Sequence, residues 1–151
     1  MPDIVDAATR SRMMAGIRGR DTKPEITIRK ALHARGLRYR LHARDVPGRP
    51  DMVFPRHRVA AFVHGCFWHG HDCPLFRLPG TRTEFWRGKI EANRARDAAV
   101  AAELDAAGWR RVTVWECALR GRGRIDPVAL IDRLEGWIRS AAPALELRGA
   151  A

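Results

Sequence analysis

The sequence has no long hydrophobic run and only three cysteines among its 151 residues. No apolar stretch approaches the roughly 20 residues that a membrane-spanning helix needs. Residues 1–19 are polar and charged, without the apolar centre of a signal peptide. Three cysteines cannot all pair within one chain, and in a reducing compartment a clustered set is more typical of metal ligands than of disulfides. These absences predict a cytoplasmic protein that does not depend on disulfides.

Acidic residues are also scarce beside basic ones. Lysine and arginine together number 28 against 17 aspartates and glutamates, which gives a formal net charge of +11. A charge of this sign and size is typical of proteins that bind a polyanion, and nucleic acid is the first candidate. Arginine supplies 25 of the basic residues. The alternative explanation is that a chain rich in Arg, Ala and Gly reflects coding by GC-rich DNA.

The hydrophobic pattern predicts one domain with alternating helices and strands. Thr22, Pro24 and Glu25 form a helix-start signal that leads to a stop at Gly36, and Asp126 starts a final amphipathic helix. A long helix is expected from a cap at Thr83 to Gly108, and strands at 39–42, 51–54, 59–63 and 111–115. This order predicts an α/β three-layer fold, with a mixed central sheet flanked by helices. We assign residues 1–20 to a basic arm with a short helix at 6–19, residues 21–140 to the domain, and residues 141–151 to a loose tail.

The turn between the two central strands predicts how they pair. If it centres on Arg56 and His57, Asp51 lies opposite Phe62. Side chains alternate along a strand, so His64 would then share a face of the sheet with Asp51. A slip of one residue would separate them.

The densest cluster of possible ligands runs from His64 to Cys73, and Cys117 follows directly after a predicted strand. One histidine and all three cysteines make a Cys3His set, the four-ligand shell of a structural zinc ion: Cys66, His71, Cys73 and Cys117. Such a closed shell would tie down a loop without activating water. Three buried cysteines with surface histidines are the alternative, because the spacing differs from paired Cys-x-x-Cys motifs.

Asp51, His64 and His69 remain beside this cluster. A carboxylate near imidazoles on a basic protein suits phosphodiester hydrolysis, in which the carboxylate holds magnesium and an imidazole moves protons. Asp51 could instead cap its loop. Glu25 has its own structural explanation as the third residue of the Thr22 capping box.

Phe67 and Trp68 lie side by side in the segment from His64 to Cys73, and Trp86 follows at the start of the next predicted helix. On a cationic protein, exposed rings beside a catalytic loop suggest wedges that enter a base stack, and mismatched steps open at the lowest cost. The alternative is that Trp68 and Trp86 cap the core together.

Several ordered motifs closely resemble those of the very short patch repair (Vsr) endonucleases. They include Gly48-Arg-Pro-Asp51, Phe62-Val-His-Gly-Cys-Phe-Trp-His-Gly-His71, Thr81-Arg-Thr-Glu-Phe-Trp86 and Val114-Trp-Glu-Cys-Ala-Leu-Arg120. The resemblance implies a restriction-endonuclease-like fold and nicking of double-stranded DNA on the 5′ side of the mispaired thymine in T:G mismatches, which arise when 5-methylcytosine deaminates.

The resemblance also assigns roles to residues. It makes Asp51 the magnesium ligand, together with the backbone carbonyl of Val63, and adds His64, His69 and Glu25 to the active site, with His69 as general base. It makes the Cys3His set a structural zinc site and the three aromatic residues the intercalating rings. Finally, it implies a monomer that acts in the bacterial cytoplasm at the nucleoid, and leaves open whether a MutL-type repair protein assists.

The sequence departs from the expected patterns at two positions. Val63 stands where the best-known members carry Thr, which a carbonyl ligand tolerates although a hydroxyl contact is lost. The related nuclease superfamily usually adds Glu-x-Lys after the first acidic residue, whereas here the strand ends at His64, so histidine must replace the lysine.

Two other functions remain open. A zinc-stabilised DNA-binding module without catalysis would also explain the charge and the Cys3His set, but would leave Asp51, His64 and His69 without a purpose. A restriction-type endonuclease would use the same residues on matched DNA.

Overall fold

A computed structural model describes residues 22–150 of the chain. The predicted basic arm and its helix at 6–19 lie outside the described residues. Within them a five-stranded sheet has the order β1-β2-β3-β4-β5. Its strands are β1 Arg40–Leu41, β2 Met52–Phe54, β3 Val59–His64, β4 Arg110–Trp115 and β5 Ala144–Leu147. The first three are antiparallel, whereas β3, β4 and β5 run parallel, so the sheet is mixed as predicted.

Within residues 22–150, four α-helices accompany the sheet. They are α1 Lys23–Ala34, α2 Thr83–Ala106, α3 Glu116–Leu119 and α4 Pro127–Ile138. The hydroxyl of Thr22 accepts a hydrogen bond from the Glu25 amide, and the carboxylate of Asp126 accepts one from the Ala129 amide, so both predicted caps are confirmed. No helix among residues 22–150 combines the length and apolarity needed to cross a membrane.

Hydrophobic side chains form clusters on both faces of the sheet, which gives the predicted three layers. One face carries Met52, Phe54 and Val114 and packs against α1 and α4. The other carries Val53 and Ala60 and packs against Leu104 of α2. This arrangement follows from the strand period of two, since neighbouring strand residues point to opposite faces.

The paired residues of β2 and β3 confirm the predicted register. Met52 lies opposite Ala61 and Phe54 opposite Val59, so the pairing extended by one residue sets Asp51 against Phe62. The connection is a 3-10 turn over Pro55–His57, and Arg58 takes a left-handed conformation with φ of 55° before β3 begins.

The prediction of a loose tail over residues 141–151 was wrong at Ala144–Leu147. Ala144–Leu147 forms β5 at the edge of the sheet, and Leu147 is fully buried. Leu145 and Leu147 pair with Val112 and Val114 of β4, and both contact the main core cluster. Alternating leucines in this short segment supply enough apolar surface for a strand despite the surrounding Ala, Arg and Gly.

The start of α2 also differs from expectation. Thr83 is the first helical residue and not the cap, and its hydroxyl donates to the carbonyl of Pro79 at 2.8 Å. Arg82 occupies the cap position with a left-handed φ of 55° and makes no side-chain cap hydrogen bond. The guanidinium of Arg82 instead stacks 4.3 Å from the centre of the exposed Phe85 ring.

Candidate active site and metal centre

The residues predicted to carry chemistry converge where β3 and β4 end. The two strands are parallel and in register to their last residues, so His64 lies beside Trp115. The loop after β3 and the short helix after β4 therefore begin at one edge of the sheet. Asp51 reaches the same edge because β2, which starts directly after it, runs antiparallel to β3.

Two cavities flank the end of β3. The first, of about 530 Å³, lies between the sheet and α2 and is lined by Asp51, His64, His69 and Asp97. The second, of about 610 Å³, is lined by Glu25, Phe67 and Trp68. Val63, His64 and His69 line both cavities, so the end of β3 connects the predicted catalytic residues to the predicted aromatic wedge.

Asp51 is partly buried and held by the strand beside it. Its Oδ2 atom accepts a hydrogen bond of 2.6 Å from the Val63 amide. Burial raises the pKa of this carboxyl group to about 7, although the Val63 hydrogen bond acts in the opposite direction. A buried carboxylate of this kind is stabilised by a cation.

Glu25 and His42 complete a cluster around Asp51. One ligand atom from each of the three side chains lies within 4.8 Å of the other two. Glu25 is the third residue of the predicted capping box at the start of α1. The residue is only 4% exposed, and its carboxylate also belongs to this cluster. Carboxylate oxygens are the ligands that magnesium prefers, so the donor set fits a divalent cation.

The two histidines of the loop after β3 stack on each other. The rings of His64 and His69 are nearly parallel, with centroids 3.7 Å apart. Burial, reinforced by the neighbouring His69, lowers the pKa of His64 to about 4, so His64 is neutral near pH 7. Its Nδ1 atom is buried and has no hydrogen-bond partner within residues 22–150.

His69 is oriented by a carboxylate that the sequence did not reveal. Its Nδ1 atom lies 2.5 Å from Oδ2 of Asp97, in the middle of α2. This hydrogen bond leaves Nε2 as the ring nitrogen that can exchange a proton with a reacting group. Asp97 is one of several acidic residues along α2, and no local motif distinguishes it from the others.

The predicted Cys3His set is brought together in the structure. Ligand atoms of Cys66, His71, Cys73 and Cys117 all lie within 4.8 Å of one another. The Nδ1 atom of His71 is 3.6 Å from Sγ of both Cys66 and Cys117. Sulfur and nitrogen ligands on a tetrahedral zinc ion lie about 3.6 Å apart, given Zn–S and Zn–N bonds of roughly 2.3 and 2.1 Å. The four residues therefore form a cluster that fits a metal ion.

The surroundings of the cluster also suit thiolates bound to a cation. Burial and the neighbouring cysteines raise the pKa of the Cys66 thiol, so an ionised form needs a positive partner. Backbone amides donate to the sulfurs at 3.3 Å, from Cys117 to Cys66 and from Gly149 to Cys117. Burial lowers the pKa of His71, which favours the neutral imidazole that binds metals.

Trp115 lies between this cluster and the paired histidines. Its ring stacks on His71 with centroids 3.9 Å apart and meets His64 edge-on at 5.4 Å. Its indole nitrogen donates to Glu146 of β5 at 3.2 Å. One ring thus connects the Cys3His cluster, the histidine pair and the edge strand.

The aromatic residues form a partly exposed group and not a cap on the core. Phe67, Trp68 and Trp86 contact each other edge-on, with centroids 5.2 to 5.8 Å apart. The Asn93 side chain donates to the Trp68 carbonyl at 2.8 Å and fixes the loop against α2. None of the three rings belongs to the hydrophobic core clusters.

Comparison with known proteins agrees with the site. The family model described as DNA mismatch endonuclease Vsr matches residues 2–75. The DNA mismatch endonuclease Vsr of Escherichia coli K12 is 49% identical over 138 residues, covering 91% of this chain and 88% of that protein. The type II nicking enzyme V.XorIIP of Xanthomonas oryzae pv. oryzae is 48% identical over 126 residues, or 83% of this chain and 93% of the relative. V.NmeAIP, a type II nicking enzyme of Neisseria meningitidis serogroup A, is 39% identical over 122 residues. With this identity across nearly its whole length, the chain belongs to the Vsr family of DNA mismatch endonucleases.

Proposed function

We propose that this protein nicks double-stranded DNA at T:G mismatches left by deamination of 5-methylcytosine, on the 5′ side of the mispaired thymine. The observation that carries the proposal is the pairing of His69 with Asp97 in a cavity that also contains Asp51. A histidine held by a carboxylate, facing a buried acidic group, is the arrangement that metal-assisted hydrolysis of a phosphodiester requires.

His69 is the general base in this proposal. Its Nδ1 atom is engaged by Asp97, so Nε2 accepts the proton of the attacking water. Asp97 fixes the tautomer and stabilises the imidazolium that forms, as carboxylates do beside catalytic histidines. His64 stacks on His69 and is neutral near pH 7, so it holds the ring without adding a competing positive charge.

Asp51, the Val63 carbonyl and Glu25 would hold the magnesium ion, which as a Lewis acid stabilises the negative charge that develops on the phosphate. The Val63 amide positions Asp51 for this task. Arg49 and Arg96 line the same cavity, and their side chains can contact the DNA backbone.

Phe67, Trp68 and Trp86 are the proposed wedge that opens the base stack. Their partial exposure and their absence from the hydrophobic core clusters support this role. Unstacking costs a few kcal/mol and is least costly at a mismatch, so a wedge favours mispaired steps even without contacts to every base edge.

Cys66, His71, Cys73 and Cys117 would hold a structural zinc ion. The cluster donors match tetrahedral spacing, and four protein ligands leave no position for water. The mixed sheet, with an acidic residue directly before β2 and functional loops after β3, supports a restriction-endonuclease-like fold. Monomeric action and assistance by a MutL-type repair protein remain predictions from the family resemblance.

The test is nicking of a labelled duplex with a single T:G pair, beside a matched duplex, with and without magnesium and with an Asp51→Asn variant. We expect magnesium-dependent nicking 5′ to the mispaired thymine, at least 10²-fold slower in the variant. Equal cutting of matched DNA would indicate the restriction-type alternative. Tight binding without cutting of any duplex would indicate the DNA-binding module.

A further inference from the structure

His42 lies beside the acidic residues of the proposed magnesium site, although the sequence assigned it no role. It follows β1 directly, and one of its ring nitrogens lies within 4.8 Å of carboxylate oxygens of both Glu25 and Asp51. The three side chains come from α1, from the segment after β1 and from the residue before β2. Three chain segments thus place possible cation ligands at one point.

The backbone around His42 is constrained in a way that holds the ring near Asp51. His42 has a left-handed φ of 49°, a conformation that is uncommon outside glycine although histidine adopts it more often than most residues. Its amide donates to the Asp51 carbonyl at 3.3 Å. The next residue, Ala43, is buried in the hydrophobic cluster between the sheet and α2 that includes Leu104. An unusual backbone conformation that is kept by its surroundings is a recurring feature of functional sites.

The spacing of the three donors fits one six-coordinate cation. Ligand atoms that share such an ion lie about 3 to 4.3 Å apart, given metal–ligand distances of roughly 2.1 Å. At least two of the three pairs must be cis on an octahedral ion, about 3.0 Å apart, whereas the donor atoms of Glu25, His42 and Asp51 lie within 4.8 Å of one another. The side chains would therefore close on a shared ion by at most about 1.8 Å per pair, which rotamer adjustments can supply.

We propose that His42 is a third side-chain ligand of the divalent cation held at Asp51, and that the site therefore binds Mn²⁺ more tightly than Mg²⁺. Imidazole nitrogen is a good ligand for transition metals, whereas magnesium prefers oxygen and retains its water. The inference rests on the proposed function only in requiring a cation at Asp51.

Two substitutions separate the ligand role from a general electrostatic one. His42→Asn removes the imidazole and suits the position, because asparagine tolerates a left-handed backbone better than most residues. His42→Gln replaces the nitrogen donor with an amide oxygen of similar reach. His57→Gln is the control, since His57 belongs to the turn at the opposite end of β2.

The experiment titrates the protein with Mn²⁺ in the absence of DNA. The electron paramagnetic resonance signal of free Mn²⁺ reports how much of the ion is bound, and Mg²⁺ is added as a competitor. We expect one Mn²⁺ site, lost in Asp51→Asn. His42→Asn should weaken Mn²⁺ binding about tenfold or more and weaken Mg²⁺ binding clearly less, because imidazole contributes more to a transition metal than to magnesium. His42→Gln should lower the preference for Mn²⁺ over Mg²⁺, and His57→Gln should match the unmodified protein.

Equal losses of both ions in His42→Asn, or no loss of either, would overturn the inference, provided thermal unfolding shows the variant folded. The outcome is separable from that of the proposed function. If Asp51→Asn abolishes Mn²⁺ binding and nicking while His42→Asn binds Mn²⁺ normally, only the role of His42 fails. If Asp51→Asn nicks normally, the proposed cleavage mechanism itself fails.

Discussion

The Nδ1 atom of His69 lies 2.5 Å from Oδ2 of Asp97, so the loop after β3 and the middle of α2 meet through one hydrogen bond. A sequence motif predicted His69 as a site residue, whereas no motif indicated Asp97. It fixes which ring nitrogen of His69 faces the cavity, so the proposed role of His69 as general base depends on a helix that lies well after it in sequence.

Replacing Asp97 with Asn should slow nicking about 10²-fold or more while leaving DNA binding unchanged. An amide pairs with either tautomer of His69 and does not stabilise the imidazolium. Single-turnover nicking and a binding titration measure the two effects. Asp105→Asn is the matched control, because Asp105 lies near the end of α2 and pairs with the partly exposed Arg111. Equal rates in both variants would refute the role of Asp97.

Asp51→Asn should stabilise the fold in the absence of magnesium, and more so at higher pH. Burial raises the pKa of Asp51 to about 7, so the folded state disfavours the ionised group. The penalty is absent below the unfolded pKa, near 4, and is fully present above the folded value. Asn still accepts the Val63 hydrogen bond, so the gain reaches at most about 4 kcal/mol at pH 8. Urea unfolding at pH 5 and pH 8 measures it, and a gain that does not increase with pH would contradict the prediction.

If the Cys3His cluster binds zinc as proposed, we expect one zinc ion per chain, and Cys73→Ser should lower this content and reduce the melting temperature by on the order of 10 °C or more. Loss of one ligand opens the shell and leaves the remaining buried sulfurs without a closed coordination sphere. Elemental analysis and thermal denaturation test this, with His57→Gln as a histidine control outside the cluster. A variant that keeps its full zinc content would exclude Cys73 as a necessary ligand.

Trp68→Ala should reduce the nicking rate at a T:G mismatch by roughly 5- to 150-fold, because stacking on a base contributes about 1–3 kcal/mol. The fluorescence of 2-aminopurine beside the mismatch reports whether the base stack opens. Trp109→Phe serves as the control, because Trp109 lies outside the aromatic group. It packs against the hydrophobic cluster between the sheet and α2, and the Arg58 guanidinium covers its ring at 4.3 Å. An unchanged fluorescence response in Trp68→Ala would argue against a wedge.

Leu147→Ala should destabilise the protein by about 2–4 kcal/mol, as expected for a fully buried leucine. Val128→Ala is a comparable truncation at a position that is 62% exposed, and should change stability by less than about 0.5 kcal/mol. Urea unfolding of both variants would show whether β5 belongs to the core in solution. Near-equal losses of unfolding free energy in the two variants would instead support the loose tail that the composition predicted.

Sequence reasoning succeeded where the determining residues are close together. The register of β2 and β3 follows from a short turn, and the Cys3His set is largely contained in one loop. It failed where tertiary contacts decide, as for Asp97, whose role depends on how α2 crosses the sheet. His42 was missed for the same reason, because its neighbour Glu25 comes from a distant segment. In β5, two leucines outweigh a composition typical of a flexible end.

The hydrogen bond from the Gly149 amide to Cys117 means that the end of the described chain covers the Cys3His cluster. A β-carbon at Gly149 would come within 2.2 Å of the Cys117 carbonyl oxygen, so this approach is possible only for glycine. The Arg148 side chain reinforces the cover by pairing with Asp72 at 2.7 Å. If the cluster holds a metal ion as proposed, we therefore expect proteolytic trimming of these residues to let chelators remove that ion faster, before any loss of the sheet.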